Sequence, residues 1–290
     1  MIDYIKLGGT LFIPATHKDL EAVVSGLKYP SLKSLVIDTE DSISDAELNK
    51  ALDNLENMLH NFTSSSVLIF IRPRNVSILK KLLLFENIDK VDGFVLAKFT
   101  LNNADNYLET LENTPYYIMP SIEGKELFQS DKLSKLCDKL LAFEDKIILV
   151  RFGLEDMLRQ LKMRRECEDS IFDFSVTSTV LGNFIAIFKS AGFEVSGGVY
   201  PCFKDIEGFK KDVKRDLKEG LFSKTIIHPS HIDVVNDLYK VKQKDYFQAQ
   251  EILQSSKNVF TQGGKMAEKT TMYPYSEYII SRALMYGVDS

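Results

Sequence analysis

YYIMPSIEG (residues 116–124) and IILVRFGLED (residues 147–156) are apolar runs that each finish on acid, Glu123 in the first and the Glu155-Asp156 pair in the second. Runs this continuous in aliphatic and aromatic residues read as strands buried on both faces, as in a parallel sheet covered by helices. An acid that ends such a strand stands at its carboxyl end. Two of them on neighbouring strands would make a hard-oxygen site for a cation such as magnesium, with positions left for water and substrate.

Working outward, the same kind of run recurs as LFIPAT (11–16), SLVID (34–38), VLIFIRP (67–73), GFVLAKF (93–99), VSGGVY (195–200) and KTIIHPS (224–230), with helical patterns between them. With the opening pair this makes eight, the number for an α/β fold of the closed (β/α)8 type, a barrel with a helix after each strand. Ser44-Asp45-Ala46-Glu47 matches a capping box ahead of a helix over 45–60. Asp205 is placed to cap the helix GFKKDVKRDLKEG (208–220), which Gly220 ends before the eighth strand. The barrel is expected to occupy 1–240. Beyond it the alternation runs out. A polar stretch, TQGGKMAEKTTMYP (261–274), precedes a last helical pattern, SEYIISRALMYG (276–287), so 241–290 is expected to be a helical extension that acts as a lid or in oligomerisation.

Charged residues make up 27% and hydrophobic residues 44% of the 290, an ordinary soluble composition, so disorder is not expected. The net charge of −5 argues against nucleic acid or an anionic membrane as the main partner, so an anionic substrate would need a local basic patch. No run approaches the roughly 18 apolar residues of a spanning helix. Cys137, Cys167 and Cys202 are odd in number and widely spaced, which indicates neither a disulfide framework nor a zinc knuckle. A reducing, cytoplasmic setting is expected.

In a barrel of this type, polar residues at the carboxyl ends of strands belong to the catalytic face and those at the amino ends to stability. The rule collects Asp38, Glu40 and Asp41 after the second strand, Arg72 and Arg74 after the third, Lys98 after the fourth, Glu123 after the fifth, and Glu155 and Asp156 after the sixth. Glu123 and Asp156 are the candidate metal ligands, although a helix cap or a rim salt bridge explains them equally well. Asp38, Glu40 and Glu155 would form the shell behind the metal, or simply turns. Arg72 has the planar fork that clamps a carboxylate at two points, and its alternative is a salt bridge to the acids just named. Lys98 and Arg74 are further substrate-binding candidates, though Arg74 would also fit a side chain turned into its loop.

Other polar features carry less. His228 and His231 in HPSH lack a nearby cysteine or third histidine, and Pro229 forces a turn, so zinc is disfavoured. The glycines of SGGVY fit relief of crowding better than a phosphate cradle. Lys224 begins the eighth strand and falls on the stability face.

In their order, these segments resemble the HpcH/HpaI aldolase and citrate lyase beta-subunit superfamily over most of residues 10–240. LFIPATHKDL looks like its opening strand, SLVIDTEDSI like its acidic motif, FIRPRN like its arginine strand and GFVLAKF like its lysine strand. PSIEG is similar to its metal-binding glutamate segment, FGLEDM to its metal-binding aspartate segment and GLFSKTIIHPSHIDVVN to its closing motif. The resemblance implies a (β/α)8 barrel with one Mg2+ held at Glu123 and Asp156, and Arg72 gripping the substrate. It also implies carbon-carbon bond cleavage or formation between an enolate, often of an acyl-CoA, and a small keto acid. Glu40 and Asp41 join Arg72 as catalytic candidates, and a homo-oligomer is expected. Departures at Ala97, Ser196-Gly197 and His231 bear on the acyl-CoA more than on the metal. A Mg2+-dependent thioester hydrolase and a non-catalytic scaffold subunit of a biosynthetic complex are the alternatives.

Overall fold

The structure, a computed structural model, describes residues 2–289. The chain divides into two compact units, Met1–Ile232 and Asp233–Ser290, so the boundary expected at 240/241 falls inside the second.

In the first unit, seven strands form one parallel sheet: β1 (Thr10–Pro14), β2 (Ser34–Asp38), β3 (Leu68–Arg72), β4 (Gly93–Leu96), β5 (Tyr117–Ile122), β6 (Arg151–Phe152) and β7 (Thr225–Ile226), in the spatial order β6-β5-β4-β3-β2-β1-β7. The run VSGGVY contributes no regular strand. It fills the remaining place in the ring through two parallel bridges, Val150 to Val195 and Ser196 to Phe222. Main-chain bonds carry the closure onward: Ser196 N to Val150 O at 3.0 Å, Gly197 N to Phe222 O at 3.2 Å and Thr10 N to Lys224 O at 2.8 Å. The (β/α)8 barrel is thus closed, with its seventh stave reduced to bridges. Gly197 gives the reason, because a Cβ there would lie 2.3 Å from Asp216 Oδ2 and 3.3 Å from Lys224 Cδ. Glycine admits a buried ionic cluster against the stave, at the expense of regular pairing.

That cluster joins Lys224 to Asp212 and Asp216, with Arg165 also on Asp212, and all four are almost fully buried. Lys224 is therefore structural, as its place at the amino end of β7 implies. Burial raises the Asp216 carboxyl to about 6, while Lys224 opposes the shift.

Helices follow the strands: α1 (Leu20–Val24), α2 (Leu48–Asn61), α3 (Val76–Leu82), α4 (Ala104–Leu111), α5 (Ser130–Leu141), α6 (Leu154–Gln160), α7 (Ser175–Ser190) and α8 (Ile206–Lys218). The 44–47 capping box is formed ahead of α2, and Asp205 caps α8 by accepting from Gly208 N at 2.9 Å. Gly220 (φ 76°) follows α8 in the left-handed region that glycine adopts without strain. Inside the ring, Val36, Phe70, Val95, Met119 and Leu149 pack with Phe12 into an apolar layer, so the bore is a core and not a channel. The carboxyl-terminal face of the barrel sits on this layer.

One expectation is corrected. Cys167 and Cys202 form a disulfide with Cα atoms 5.7 Å apart, and Cys137 is buried and free. The partners lie on loops after α6 and after the bridged seventh stave, so their approach is a product of barrel closure that linear spacing does not reveal.

The second unit holds β8 (Val241–Lys242), α10 (Gln243–Gln254), the antiparallel pair β9 (Val259–Gln262) and β10 (Lys265–Glu268), α11 (Lys269–Tyr286) and β11 (Val288–Asp289); α9 (Ile232–Leu238) begins at its edge. Gly263 and Gly264, both with positive φ, make the two-residue turn of the β9-β10 hairpin. The expected helical extension is therefore helical with a hairpin inserted where the polar stretch stood. Among the described residues, no helix is long and apolar enough to cross a membrane.

Candidate active site

A cavity of about 580 Å³ opens at the carboxyl ends of the barrel strands. Its lining includes Asp38, Asp41, Arg72, Glu123, Glu155 and Asp156, so six of the nine site candidates meet in one place. Glu40, buried against Arg72 and paired with the half-exposed Lys98, does not line the cavity, nor do Lys98 and Arg74.

Glu123 follows the last residue of β5 and is 6% exposed. Its Oε1 accepts the Lys98 backbone N–H at 2.5 Å. Lys98 reaches this position from a left-handed conformation (φ 48°), an uncommon state for a residue with a side chain and one that surrounding contacts must hold in place. Asp156 lies in the first turn of α6, where Gln160 Nε2 ties Glu123 O (2.7 Å) to Asp156 O (3.1 Å). Burial pushes the Glu123 carboxyl up to about 7; the Lys98 N–H opposes the shift and the charge of Asp156 adds to it. Glu155 is also raised, chiefly by burial, against the pull of Arg165.

A cation bound beside Glu123 would favour the charged form that burial and the neighbouring Asp156 charge oppose. Among the described residues no group of three or more His, Cys, Asp or Glu side chains is arranged as a ligand set. Glu123 and Asp156, whose Oδ1 also accepts from Arg159 Nε at 3.1 Å, offer two hard carboxylates. That fits Mg2+, which commonly takes one or two carboxylates and completes its shell with water and substrate, and it does not fit a closed structural zinc site.

Arg72 is held by the acids around it. Its Nε and Nη2 donate to Asp38 Oδ1 (2.6 Å) and Oδ2 (2.8 Å), a two-point pair, and Nη1 lies 3.3 Å from Glu40 Oε2 and 3.8 Å from Asp41 Oδ2. Asp38 also accepts from the backbones of Glu40 and Ser42, each at 3.0 Å. Burial works against the charge of Asp38, but the Arg72 bond outweighs it and the carboxyl stays below its ordinary value. Asp38 therefore holds Arg72 at two points. Lys98 Nζ pairs with Glu40 and lies 2.9 Å from Asp41 Oδ1. Burial raises Glu40; Asp41, though partly buried, is lowered by its bonds to Glu40 and Lys98.

Arg74 grips the neighbouring loop between β2 and α2, donating to Thr39 O and Glu40 O, both at 3.3 Å, and to Ile43 O and Asp45. It therefore takes neither placement weighed for it, lining neither the cavity nor its own loop. His231 is buried and stacked on Phe209, and its Nε2 lies 3.1 Å from Phe203 O, an environment unlike a zinc ligand's.

Two site residues escaped the reading of the sequence. Gly153 matters because a Cβ there would lie 2.1 Å from Glu123 Cβ. Arg151 lines the cavity at 3% exposure, and its signal was visible as a lone charge inside the apolar run IILVRFG.

A family model described as a carbon-carbon bond lyase of the TIM-barrel fold matches residues 1–288. Among curated proteins, the citrate lyase subunit beta of Haemophilus influenzae is 29% identical over 124 residues, 42% of this chain and 41% of that protein. A (3S)-malyl-CoA thioesterase of Cereibacter sphaeroides is 26% identical over 87 residues, 30% of this chain and 29% of its own. The chain thus spans less than half the length of these two relatives. Among solved structures, CitE of Mycobacterium tuberculosis in complex with magnesium, acetoacetate and coenzyme A superposes with a TM-score of 0.71 at 18% identity, covering 97% of this chain and 99% of that one, which is a likeness of fold. With the family model matched over nearly its whole length, the chain belongs to the carbon-carbon bond lyases of the TIM-barrel fold.

Proposed function

We propose that this protein is a Mg2+-dependent carbon-carbon bond lyase that cleaves or forms the bond between an enolate, possibly drawn from an acyl-CoA, and a small keto acid. The observation that carries the reading is the pair Glu123 and Asp156, one buried and raised toward neutrality, converging on a cavity whose opposite wall holds arginine. Glu123 and Asp156 would hold the ion. When bound, Mg2+ supplies a positive centre for the oxygens of the keto acid, where charge develops as the bond breaks.

The chain's own residues do the rest. Glu123 must be ionised to serve as a ligand, and the Lys98 N–H on its Oε1 favours that form. Asp38 fixes Arg72 in one orientation, so its positive charge is preorganised at the cavity wall. Lys98 balances Glu40 and Asp41 and keeps that acidic turn closed. Val95 and Phe12 at the base exclude water from the reacting end, where an enolate would otherwise be quenched by protonation.

The test is Mg2+-dependent exchange of deuterium into pyruvate, acetyl-CoA and propionyl-CoA, which detects enolate formation before the second substrate is known. Glu123→Gln and Asp156→Asn should abolish exchange and metal binding while the fold persists. Exchange that survives either change refutes the ligand assignment.

A second reading, hydrolysis of an acyl thioester, is favoured by the match to the malyl-CoA thioesterase. Product analysis separates the two, because hydrolysis releases free acid with no carbonyl fragment.

A further inference from the structure

We propose that Lys98 is a positioning residue of this site: its ammonium, anchored on Glu40 and Asp41, holds a left-handed main chain whose N–H fixes the carboxylate of Glu123. The inference deepens the lyase reading and rests on it for the role of Glu123 as a metal ligand.

Lys98 is the second residue after β4 and stands between the buried Ala97 and Phe99. Its N–H donates to Glu123 Oε1 at 2.5 Å, and the next one, of Phe99, donates to Ser121 O at 2.9 Å. Both amides thus face the β5 side. Successive amides of a regular strand point to opposite neighbours, so this pair needs a break in the strand, and the φ of 48° at Lys98 supplies it. Glycine takes that conformation without cost, whereas a residue with a Cβ does not. A lysine at this position therefore has to be held there by its contacts.

The side chain provides one of them by reaching past β3 to the loop after β2, where Nζ pairs with Glu40 and lies 2.9 Å from Asp41 Oδ1. Glu40 is buried, and its other oxygen lies 3.3 Å from Arg72 Nη1. A buried carboxylate left short of a cation is costly, so the ammonium is firmly drawn to Glu40 although it is itself half-exposed. Asn103 Nδ2 holds the Lys98 carbonyl at 2.9 Å. The residue is thus anchored at its N–H, its C=O and its side chain, and the side-chain anchor alone comes from beyond β3. One lysine joins the acidic loop around Arg72 to the carboxylate of Glu123. It does so from outside the cavity lining, without a contact to substrate.

Other roles for Lys98 predict different outcomes. A lysine that acted on a bound metal through space would repel it, so neutralising the side chain would tighten metal binding. A lysine that served the acidic loop alone would make methionine and glycine equivalent at 98. Positioning through the main chain predicts weaker metal binding without the side chain, and partial recovery with glycine.

The test compares the wild type, Lys98→Met and Lys98→Gly in two measurements. Electron paramagnetic resonance gives Mn2+ affinity, and hydrogen exchange resolved by mass spectrometry gives the protection of the amide at 98 in the metal-free protein, relative to its intrinsic rate. Lys98→Met should weaken Mn2+ binding at least about tenfold. It should also lower the protection of that amide at least about tenfold. Lys98→Gly should recover at least about threefold of each loss. If Lys98→Met does not fold, Lys98→Gln set against Lys98→Gly makes the same comparison. Mn2+ binding that is unchanged or tighter in Lys98→Met, full protection of the amide in that variant, or glycine no better than methionine overturns the assignment. Mn2+ binding that is lost in Glu123→Gln but indifferent to Lys98→Met retains the metal reading and defeats the positioning role. A wild type that binds no Mn2+ defeats the metal reading, and amide protection then decides whether Lys98 holds Glu123.

Discussion

A Cβ built on Gly153 would fall 2.1 Å from the Cβ of Glu123 and 2.7 Å from its Oε2. The first residue after β6 thus fixes the position of the carboxylate that follows β5, and the absence of a side chain at 153 is part of the proposed metal site. The Lys98 N–H holds the same carboxylate from the other neighbouring strand, so its position is determined from both sides.

Gly153→Ala should displace Glu123, because the contact is with its Cβ and not with the far end of a flexible chain. Overpacking of this kind costs roughly 1–3 kcal/mol of stability. We expect Mn2+ affinity to fall at least about tenfold. Titration by electron paramagnetic resonance alongside a melting curve reads both effects, and undiminished affinity would mean that the site tolerates a moved Glu123.

The raised Glu123 carboxyl predicts two pH dependences. Below about 7 a proton competes with the metal, so Mg2+ affinity should climb as pH rises from 5.5 and level off above about 7. For the metal-free protein the sign is opposite. A carboxyl whose folded pKa, about 7, exceeds the ordinary 4.5 favours the fold fully below 4.5 and loses that contribution as pH rises through 7. The contribution is on the order of 3 kcal/mol at its largest. Calorimetric melting of the wild type and Glu123→Gln between pH 5 and 8 should diverge accordingly, and parallel curves would count against a raised carboxyl.

The Asp38–Arg72 pair is buried and two-pointed, so removing one partner leaves the other uncompensated. Asp38→Asn or Arg72→Met alone should destabilise the barrel by about 3–5 kcal/mol, and the double variant by less than the sum. Urea unfolding of the four proteins gives the coupling. Simple additivity would show that the pair is not energetically joined.

Cys167→Ser or Cys202→Ser should lower stability by about 2–4 kcal/mol, since the bond closes a loop with a sequence separation of 35 residues. A thiol reductant should bring the wild type to the melting temperature of the variants. If reductant leaves the wild type unchanged, the two cysteines are not paired in solution.

Much of the barrel was legible because its signals are local. Continuous apolar runs need two covered faces, and seven of them became β1 to β7 close to where they were expected. The 44–47 capping box and Asp205 act within one helical turn, so spacing alone locates them. The run VSGGVY was legible as a stave but not as an irregular one. Its irregularity arises from the ionic cluster of Lys224, Asp212 and Asp216, residues distant in the chain that only closure brings against Gly197.

The sequence by itself determined that acids follow the fifth and sixth strands and that an arginine ends the third, because strand ends can be read from where apolar runs stop. Tertiary structure alone decided how those charges are shared. Whether Arg72 faces Asp38 or the cavity, and whether Arg74 serves the loop between β2 and α2, depend on what each guanidinium meets beyond its own strand. Those encounters are between residues tens of positions apart. Linear order fixes which charges exist and on which strand, but the free energy of a buried charge is set by its neighbours in space.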